Sequence, residues 1–265
     1  MQTELDTVIV EFDESTGIGT LVLNRPESLN ALNGQLSNDI ATGLQRLEDE
    51  NSGSEGVALR AVVIEGAGDR AFCAGADITG FSSESSGRSS ARSGSAFIKD
   101  FPVPIIAKIQ GYCLGGGFEM AFACDFRIAS EDSTFGLPEV TLGLNPGGGG
   151  VQYITKIADA SLAKEIAMTG KHISAERAHN EGLIQEVHPK EQLDDAVQLF
   201  AEELANQAPL AVQAIKESAK VAQQTGLEEG RKFDSEVFSR LQATEDAREG
   251  RQAFAEDRDP EFQGK

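Results

Sequence analysis

Two glycine-containing turns constrain this chain most, because each interrupts an apolar stretch that would otherwise continue as a regular element. The first, Ala-Gly-Ala at 74–76, follows the strand-like segment 59–65. The second, Gly-Gly-Gly at 115–117, separates the β-like segment 105–109 from the helix-like segment 118–123. Glycine destabilises a helix by about 1 kcal/mol per residue, so a run of three at a helix start indicates that the bare backbone is needed there.

The exposed backbone at these turns predicts binding of a developing negative charge. A helix that begins in the 115–117 run presents unpaired N–H groups and a partial positive charge, and the 74–76 turn can supply a second donor. Two such donors on one carbonyl oxygen contribute about 2.7 to 4 kcal/mol each. Glu119 follows the glycine run, and Glu139 comes later in Phe-Gly-Leu-Pro-Glu. Together these features predict an oxyanion hole with acid–base chemistry.

The motifs of the chain, in their order and spacing, resemble those of the enoyl-CoA hydratase/isomerase (crotonase) family over nearly the whole length. They are Asn-Arg-Pro at 24–26, Leu-Asn-Ala-Leu at 29–32, Ala-Gly-Ala-Asp-Ile at 74–78, Gly-Gly-Gly-Phe-Glu at 115–119, Phe-Gly-Leu-Pro-Glu at 135–139, Leu-Gly-Leu-Asn-Pro-Gly at 142–147, Thr-Gly at 169–170 and Glu-Gly-Leu at 181–183. Each motif alone is weak, and the set together is specific for the family.

The pattern of apolar segments predicts an α/β fold. Strands are predicted at 8–12, 18–23, 59–64, 105–109 and 126–129, and helices at 34–47 and from 190 onward. Such alternation indicates largely parallel strands, although periodicity alone does not separate this arrangement from a doubly wound sheet. The resemblance implies a crotonase-like spiral of ββα repeats, with a catalytic core at 1–205 and a C-terminal helical trimerisation region at 206–265.

The resemblance also implies a role for each catalytic position. The backbone N–H groups of Ala76 and Gly116 polarise the carbonyl of an acyl-CoA thioester. Glu119 and Glu139 hold and activate a water molecule, which the N–H of Gly147 helps to hold. The isomerases of the family usually keep only one of the two carboxylates. The pair therefore favours an enoyl-CoA hydratase, which adds water reversibly to a 2-trans-enoyl-CoA to give a 3-hydroxyacyl-CoA in fatty acid oxidation or related metabolism.

The same resemblance implies that no metal or redox cofactor takes part, because coenzyme A enters as part of the thioester substrate. The positions expected along coenzyme A are Arg25, Ser28, Leu29, Ala31, Ala74, Gly75, Asp77 and Ile78. Arg25 is the nearest cation in a motif that could meet the phosphates. An arginine before a proline could equally cap the end of a strand, and that alternative stays open.

Other functions remain open on the same fold. They include an enoyl-CoA isomerase, a hydrolase or a ring-modifying acyl-CoA enzyme, and, in a different class, a non-catalytic acyl-CoA-binding protein. The glutamate pair separates these classes, since a binding protein needs neither carboxylate. Tyr153 stands where many members have arginine and Asp159 where many have glycine, and both departures concern local packing.

Composition limits the partners and the location. The net charge of −20 argues against nucleic acid, because like charges repel. This charge fits either a high-salt cytoplasm or an ordinary acidic enzyme.

No apolar run approaches the roughly 18 residues of a membrane span, and residues 1–6 do not resemble a signal peptide, so a cytoplasmic location away from membranes is expected. Cys73, Cys113 and Cys124 form no Cys-x-x-Cys pair, which favours buried free thiols.

Two further segments carry predictions. The serine-rich segment 81–95 is expected to be a loop that borders the acyl pocket, or else a solvated insertion without a role. The apolar residues Phe233, Val237, Phe238 and Leu241 recur at helical spacing. We expect these C-terminal helices to form a homotrimer or a dimer of trimers, as in the family. The alternative is a monomer that packs this stripe against its own core.

Overall fold

The computed structural model describes residues 1–53, 56–77 and 94–265. Most of the serine-rich segment 81–95 therefore lies outside the described residues. The strands are β1 (Gln2–Glu4), β2 (Val8–Asp13), β3 (Ile18–Leu23), β4 (Ala61–Gly66), β5 (Ala71–Cys73), β6 (Ile105–Ile109), β7 (Tyr112–Leu114), β8 (Phe126–Ser130), β9 (Thr134–Gly136), β10 (Ile173–Ser174) and β11 (Glu186–His188). The helices are α1 (Gly34–Asp49), α2 (Gly94–Asp100), α3 (Gly116–Ala123), α4 (Gly150–Ile157), α5 (Ala160–Thr169), α6 (Ala175–Asn180), α7 (Leu193–Ala205), α8 (Pro209–Ala222), α9 (Leu227–Leu241) and α10 (Glu245–Glu256).

Among the described residues, the strands form two sheets. The larger has the order β1-β2-β3-β4-β6-β8-β11, and the smaller has the order β10-β9-β7-β5. Pairing is parallel from β3 to β11 and from β5 to β9, and it is antiparallel at the outer ends. The chain moves between the sheets in the pairs β4–β5, β6–β7 and β8–β9. This alternation is the repeating spiral that the resemblance implied, and it confirms the fold class.

Most strands predicted from the sequence are present with small changes in their bounds. β3 and β6 have the predicted limits, and Gly17 makes the turn before β3 with φ of +71°. β4 begins at Ala61 rather than at Leu59, because the Leu59 N–H donates to the Asn51 side chain at 2.8 Å instead of to a neighbouring strand. Leu59 is nevertheless fully buried in the core.

The core lies on both faces of the larger sheet. One apolar cluster fills the space between the two sheets, α1 and the central helix α3. A second, smaller cluster lies on the other face, where Leu193 and Val197 of α7 pack against the sheet. This packing confirms the helix predicted after residue 190, whose apolar residues follow a helical period.

Partly buried polar contacts hold the C-terminal helices, some to the rest of the chain and some within the C-terminal region. Lys216 of α8 donates from Nζ to Asp125 Oδ2 at 2.6 Å and to the Val103 carbonyl at 3.0 Å. Asp246 of α10 is buried and accepts hydrogen bonds from the N–H groups of Gln263 and Gly264. The division at 205 and 206 falls between α7 and α8, and the trimerisation role of 206–265 stays a prediction. Within the described part of the chain, every helix is too short or too polar to cross a membrane.

Candidate active site

The two glycine-containing turns lie side by side at the ends of neighbouring strands. β5 leads into the 74–76 turn and β7 leads into the 115–117 run, and these strands pair in parallel. Gly75 has a φ of +103° and Gly115 a φ of +51°, both in the left-handed region that favours glycine. A Cβ on Gly116 would lie 3.8 Å from the Ala76 nitrogen. The fold therefore brings together the two backbone donors that the sequence predicted.

The N–H groups of Ala76 and Gly116 have no acceptor within the described part of the chain. Gly116 is the first residue of α3, so its N–H has no partner within the helix. The Ala76 turn is fixed on either side, because Leu32 N donates to Gly75 O and Asp77 N donates to Leu32 O, each at 2.8 Å. Across residues 1–53, 56–77 and 94–265, neither the Ala76 N–H nor the Gly116 N–H makes a hydrogen bond. Two fixed, free donors side by side can hold an oxyanion.

Glu119 lies in the first turn of α3 and is only 5% exposed. Its Oε1 accepts hydrogen bonds from Gly148 N at 2.8 Å and from Gly150 N at 2.9 Å, where α4 begins. The N-terminus of α4 therefore holds one oxygen of the carboxylate. Oε2 makes no hydrogen bond within the described residues, which leaves it as the atom available to a substrate or water.

Glu139 lies in the short 3-10 helix Pro138–Leu142 and faces the glycine run. A Cβ on Gly115 would lie 3.1 Å from Glu139 Oε1. Its Oε2 is buried and has no hydrogen-bond partner among the described residues. Burial raises the pKa of the Glu139 carboxyl above its ordinary value, and the negative charge of Glu119 adds to this effect. Glu139 is therefore the member of the pair better suited to carry a proton.

Gly147 differs from its neighbours in the glycine run. Gly147 is exposed, as is Gly148, but among the described residues a Cβ on Gly147 would meet nothing within 4 Å, and the N–H groups that reach Glu119 are those of Gly148 and Gly150. The predicted role of Gly147 toward the catalytic water stays a prediction. Sequence reasoning missed the contacts of Gly148 and Gly150, although the run of four glycines at 147–150 signalled an exposed backbone at this point.

The positions predicted along coenzyme A form one continuous surface with the first turn. Ala74 N donates to Leu29 O at 3.0 Å, which joins the 28–31 segment to the 74–77 segment. Ser28 and Ala31 lie in the same loop and are partly buried. Ile78 lies outside the described residues. The structure thus brings the two predicted binding segments together, while their contact with coenzyme A stays a prediction.

Arg25 is committed to contacts within the protein. Its Nη2 forms an ion pair with Asp77 Oδ2 at 3.0 Å, and its Nη1 donates to the Ala31 carbonyl. The Arg25 N–H donates to the buried Asn30 side chain, which holds the left-handed turn at Leu29 and Asn30. The charge of Arg25 is therefore already compensated. This arrangement supports a role in fixing the loop, and the predicted contact with phosphate remains untested.

Comparison with known proteins agrees with this geometry. The sequence profile of the Enoyl-CoA hydratase/isomerase family matches residues 13–265. The chain belongs to this family. It is 36% identical to the 2,3-dehydroadipyl-CoA hydratase of Escherichia coli over 92% of this chain and 94% of the relative, and 34% identical to the crotonyl-CoA hydratase of Syntrophomonas wolfei over 97% and 98%. The crystal structure of an enoyl-CoA hydratase from Bacillus anthracis superposes with a TM-score of 0.87 at 33% identity, covering 98% of this chain and all of that one.

The two positions where this family member departs from the common pattern have clear local roles. Asp159 caps α5, since its side chain accepts hydrogen bonds from Ser161 N and Leu162 N. Tyr153 of α4 stacks on Phe122 with ring centroids 5.6 Å apart. Both observations agree with the expectation that these departures affect local packing.

The cysteines of this family member are free and buried, as predicted. Cys73 directly precedes the first turn, and burial raises the pKa of its thiol to about 12. A thiol with such a pKa is protonated at neutral pH and is therefore a poor nucleophile. Cys73 is consequently a packing residue behind the turn.

Proposed function

We propose that the protein is an enoyl-CoA hydratase that adds water reversibly to a 2-trans-enoyl-CoA and gives a 3-hydroxyacyl-CoA. Family membership supports this activity, as do similar proteins named crotonyl-CoA hydratase and 2,3-dehydroadipyl-CoA hydratase. The observation that carries the proposal is the pair of glutamates beside two free backbone donors. Their environments differ, so one can take a proton while the other gives one.

The backbone donors act on the thioester. The N–H groups of Ala76 and Gly116 bind its carbonyl oxygen. This polarises the conjugated double bond and makes C3 electrophilic toward water. Negative charge collects on this oxygen as the enolate forms, and fixed donors stabilise that state more than the ground state. No metal or redox cofactor enters this scheme. Coenzyme A is carried in as part of the substrate.

The glutamates move the protons. Glu119 Oε2 takes a proton from water while the water oxygen forms a bond to C3. The electron pair of the C2–C3 double bond passes into the enolate, and Glu139 delivers its proton to C2 as the carbonyl re-forms. Glu119 then carries a proton and Glu139 is ionised, and exchange with solvent restores the starting state. In this scheme both carboxylates act from the same side of the bound thioester, so addition occurs on one face of the double bond.

Loss of absorbance of the conjugated thioester of crotonyl-CoA tests this function directly. We expect Glu119→Gln and Glu139→Gln each to lower kcat by about 10² or more, the usual contribution of a positioned acid or base. Glu131→Gln is the control, since this exposed glutamate lies in the turn between β8 and β9. Near-normal turnover by both active-site variants would contradict the assignment.

The isomerase and the non-catalytic alternatives make different predictions in the same assay. An isomerase needs only one carboxylate, so one of the two glutamine variants would keep nearly full activity on a 3-enoyl-CoA. A binding protein would hold crotonyl-CoA with no change in absorbance. The presence of both Glu119 and Glu139 favours the hydratase, because an isomerase needs only one carboxylate and a binding protein needs neither.

We also propose a homotrimer or a dimer of trimers in the cytoplasm. Phe238 is 63% exposed and Phe254 is 91% exposed, while a largely apolar cavity of about 530 Å³ lies between α8 and α10. Apolar area of this kind supports association. The free thiols support a reducing compartment. Light scattering over a range of salt concentrations tests the assembly, and a monomer under every condition would refute it.

A further inference from the structure

Lys99 and Tyr153 meet beside the catalytic helix. α2 and α4 both pack against α3. Lys99 Nζ of α2 lies 5.7 Å from the centroid of the Tyr153 ring, and that ring stacks on Phe122 of α3. Phe122 follows Glu119 by three residues, so the two lie on the same side of α3, one turn apart. The pair Lys99–Tyr153 therefore lies one helical turn beyond the catalytic carboxylate.

Both polar groups of this pair lack a partner in the part of the chain that the structure describes. Among the described residues, no carboxylate lies within ion-pair distance of Lys99, and the Tyr153 hydroxyl makes no hydrogen bond. The neighbouring cation Lys220 is compensated, because it pairs with Asp100 at 3.0 Å. Arg25 is likewise paired with Asp77. The chain as a whole has a net charge of −20 and repels anions. The ammonium group of Lys99, which no carboxylate among the described residues neutralises, attracts an anion locally beside the site.

We propose that Lys99 and Tyr153 bind a carboxylate at the far end of the acyl group, so that the preferred substrates are 2-enoyl-CoA thioesters of dicarboxylic acids. This inference rests on the proposed hydratase function. Gly116, which holds the thioester oxygen, and Phe122 are about 9 Å apart along α3 at the usual helical rise. The terminal carbons of an extended six-carbon chain are about 6 Å apart, and a hydrogen bond of about 3 Å at each end covers the rest of that distance. Lys99 supplies the charge, and the Tyr153 hydroxyl donates a hydrogen bond.

The chemistry of Tyr153 fits a neutral donor. Burial raises the pKa of its hydroxyl, and the negative charge of Glu119 acts in the same direction. The hydroxyl therefore keeps its proton at neutral pH and can donate to a carboxylate oxygen. The aromatic ring covers Phe122 and gives the methylene groups of the acyl chain an apolar wall.

The test compares two thioesters of equal chain length, 2-hexenoyl-CoA and 2-hexenedioyl-CoA, which differ in the terminal carboxylate. The measured quantity is the ratio of kcat/KM for the diacid to kcat/KM for the monoacid. We expect Lys99→Gln to lower this ratio about fivefold, the upper end for a solvent-exposed ion pair. Lys99→Arg restores most of the ratio, and Tyr153→Phe lowers it about threefold while keeping the ring. Lys164→Gln, which removes an exposed lysine of α5, leaves the ratio unchanged.

The outcomes separate this inference from the proposed function. If Lys99→Gln lowers kcat/KM equally for both thioesters, Lys99 acts on coenzyme A or on the fold, and the inference is overturned. An unchanged ratio in both Lys99→Gln and Tyr153→Phe overturns it as well, even though the wild type hydrates 2-hexenoyl-CoA. If the wild type hydrates neither thioester, the hydratase proposal itself fails, and this inference fails with it.

Discussion

Adding one methyl group at Gly148 should disable the catalytic base. A Cβ at this position would lie 2.5 Å from Glu119 Oε2 and 2.9 Å from Glu119 Cδ, well inside the 3.4 Å at which ordinary contact begins. The carboxylate must therefore move by about 0.9 Å. It cannot move freely, because the N–H groups of Gly148 and Gly150 hold its other oxygen. A misplacement of about 1 Å costs about 10²-fold in rate, so we expect Gly148→Ala to lower kcat for crotonyl-CoA by about that factor.

The adjacent glycine is a matched comparison. Among the described residues, a Cβ on Gly147 would meet nothing within 4 Å, and alanine keeps the backbone N–H that is predicted to contact water. We expect Gly147→Ala to stay within about threefold of the wild-type kcat, as for a surface substitution. Urea unfolding checks that both variants are folded, since overpacking at Gly148 costs about 1 to 3 kcal/mol. Equal kcat values for the two variants would show that Glu119 does not depend on its contact with Gly148, and the reasoning would be refuted.

Two further predictions concern Glu139 and Lys216. Because the pKa of Glu139 is raised above its ordinary value of 4.5, the native state binds its proton more tightly than the unfolded state does. The difference in free energy of unfolding between the wild type and Glu139→Gln should therefore shift against the wild type as pH rises from 4.5 through the raised pKa. Urea unfolding at a series of pH values measures this difference. A difference that stays constant with pH would contradict the prediction. Lys216→Met should lower the free energy of unfolding by about 1 to 3 kcal/mol, because Asp125 is left without its cation. The control Lys232→Met breaks an exposed ion pair with Glu229, and its free energy of unfolding should change by less than about 0.5 kcal/mol. An equal loss of stability in the two variants would refute the argument.

The local features of the site could be predicted from the sequence because they depend on short segments. The glycine run at 115–117 predicted a helix start with free donors, and α3 begins at Gly116. The left-handed backbone at Gly75 and Gly115 follows from the same reasoning, since a side chain there would strain the turn. Glu119 and Glu139 were recognised by their place in motifs, and both lie at the site. These features could be predicted because each depends on the backbone conformation of a few consecutive residues.

The contacts between distant segments could not be predicted in this way. The periodicity of apolar residues did not predict that the strands form two sheets. Consecutive strands such as β4 and β5 belong to different sheets, and the apolar pattern of each strand does not say which sheet it joins. The hold of Gly148 and Gly150 on Glu119 joins residues about thirty positions apart, as shown by bonds spanning 29 and 31 residues. The ion pair of Arg25 with Asp77 spans 52 residues, and no sequence pattern indicated this contact for the candidate phosphate ligand. Such pairings depend on the register of the parallel strands, which sequence alone leaves open.

In the proposed mechanism, the different roles of the two glutamates are set by the backbone around each carboxylate rather than by residue type. Glu119 and Glu139 have the same side chain, yet one oxygen of Glu119 is held by two N–H groups at the start of α4, while an oxygen of Glu139 is buried without any donor among the described residues. Fixing Oε1 leaves Oε2 of Glu119 as a positioned base. Burial raises the pKa of the Glu139 carboxyl, and the negative charge of Glu119 adds to this effect, so the protonated form is favoured. Exchanging these proposed roles would require the 147–150 glycine run to lie beside Glu139, so the proposed direction of proton transfer depends on where this run meets α3.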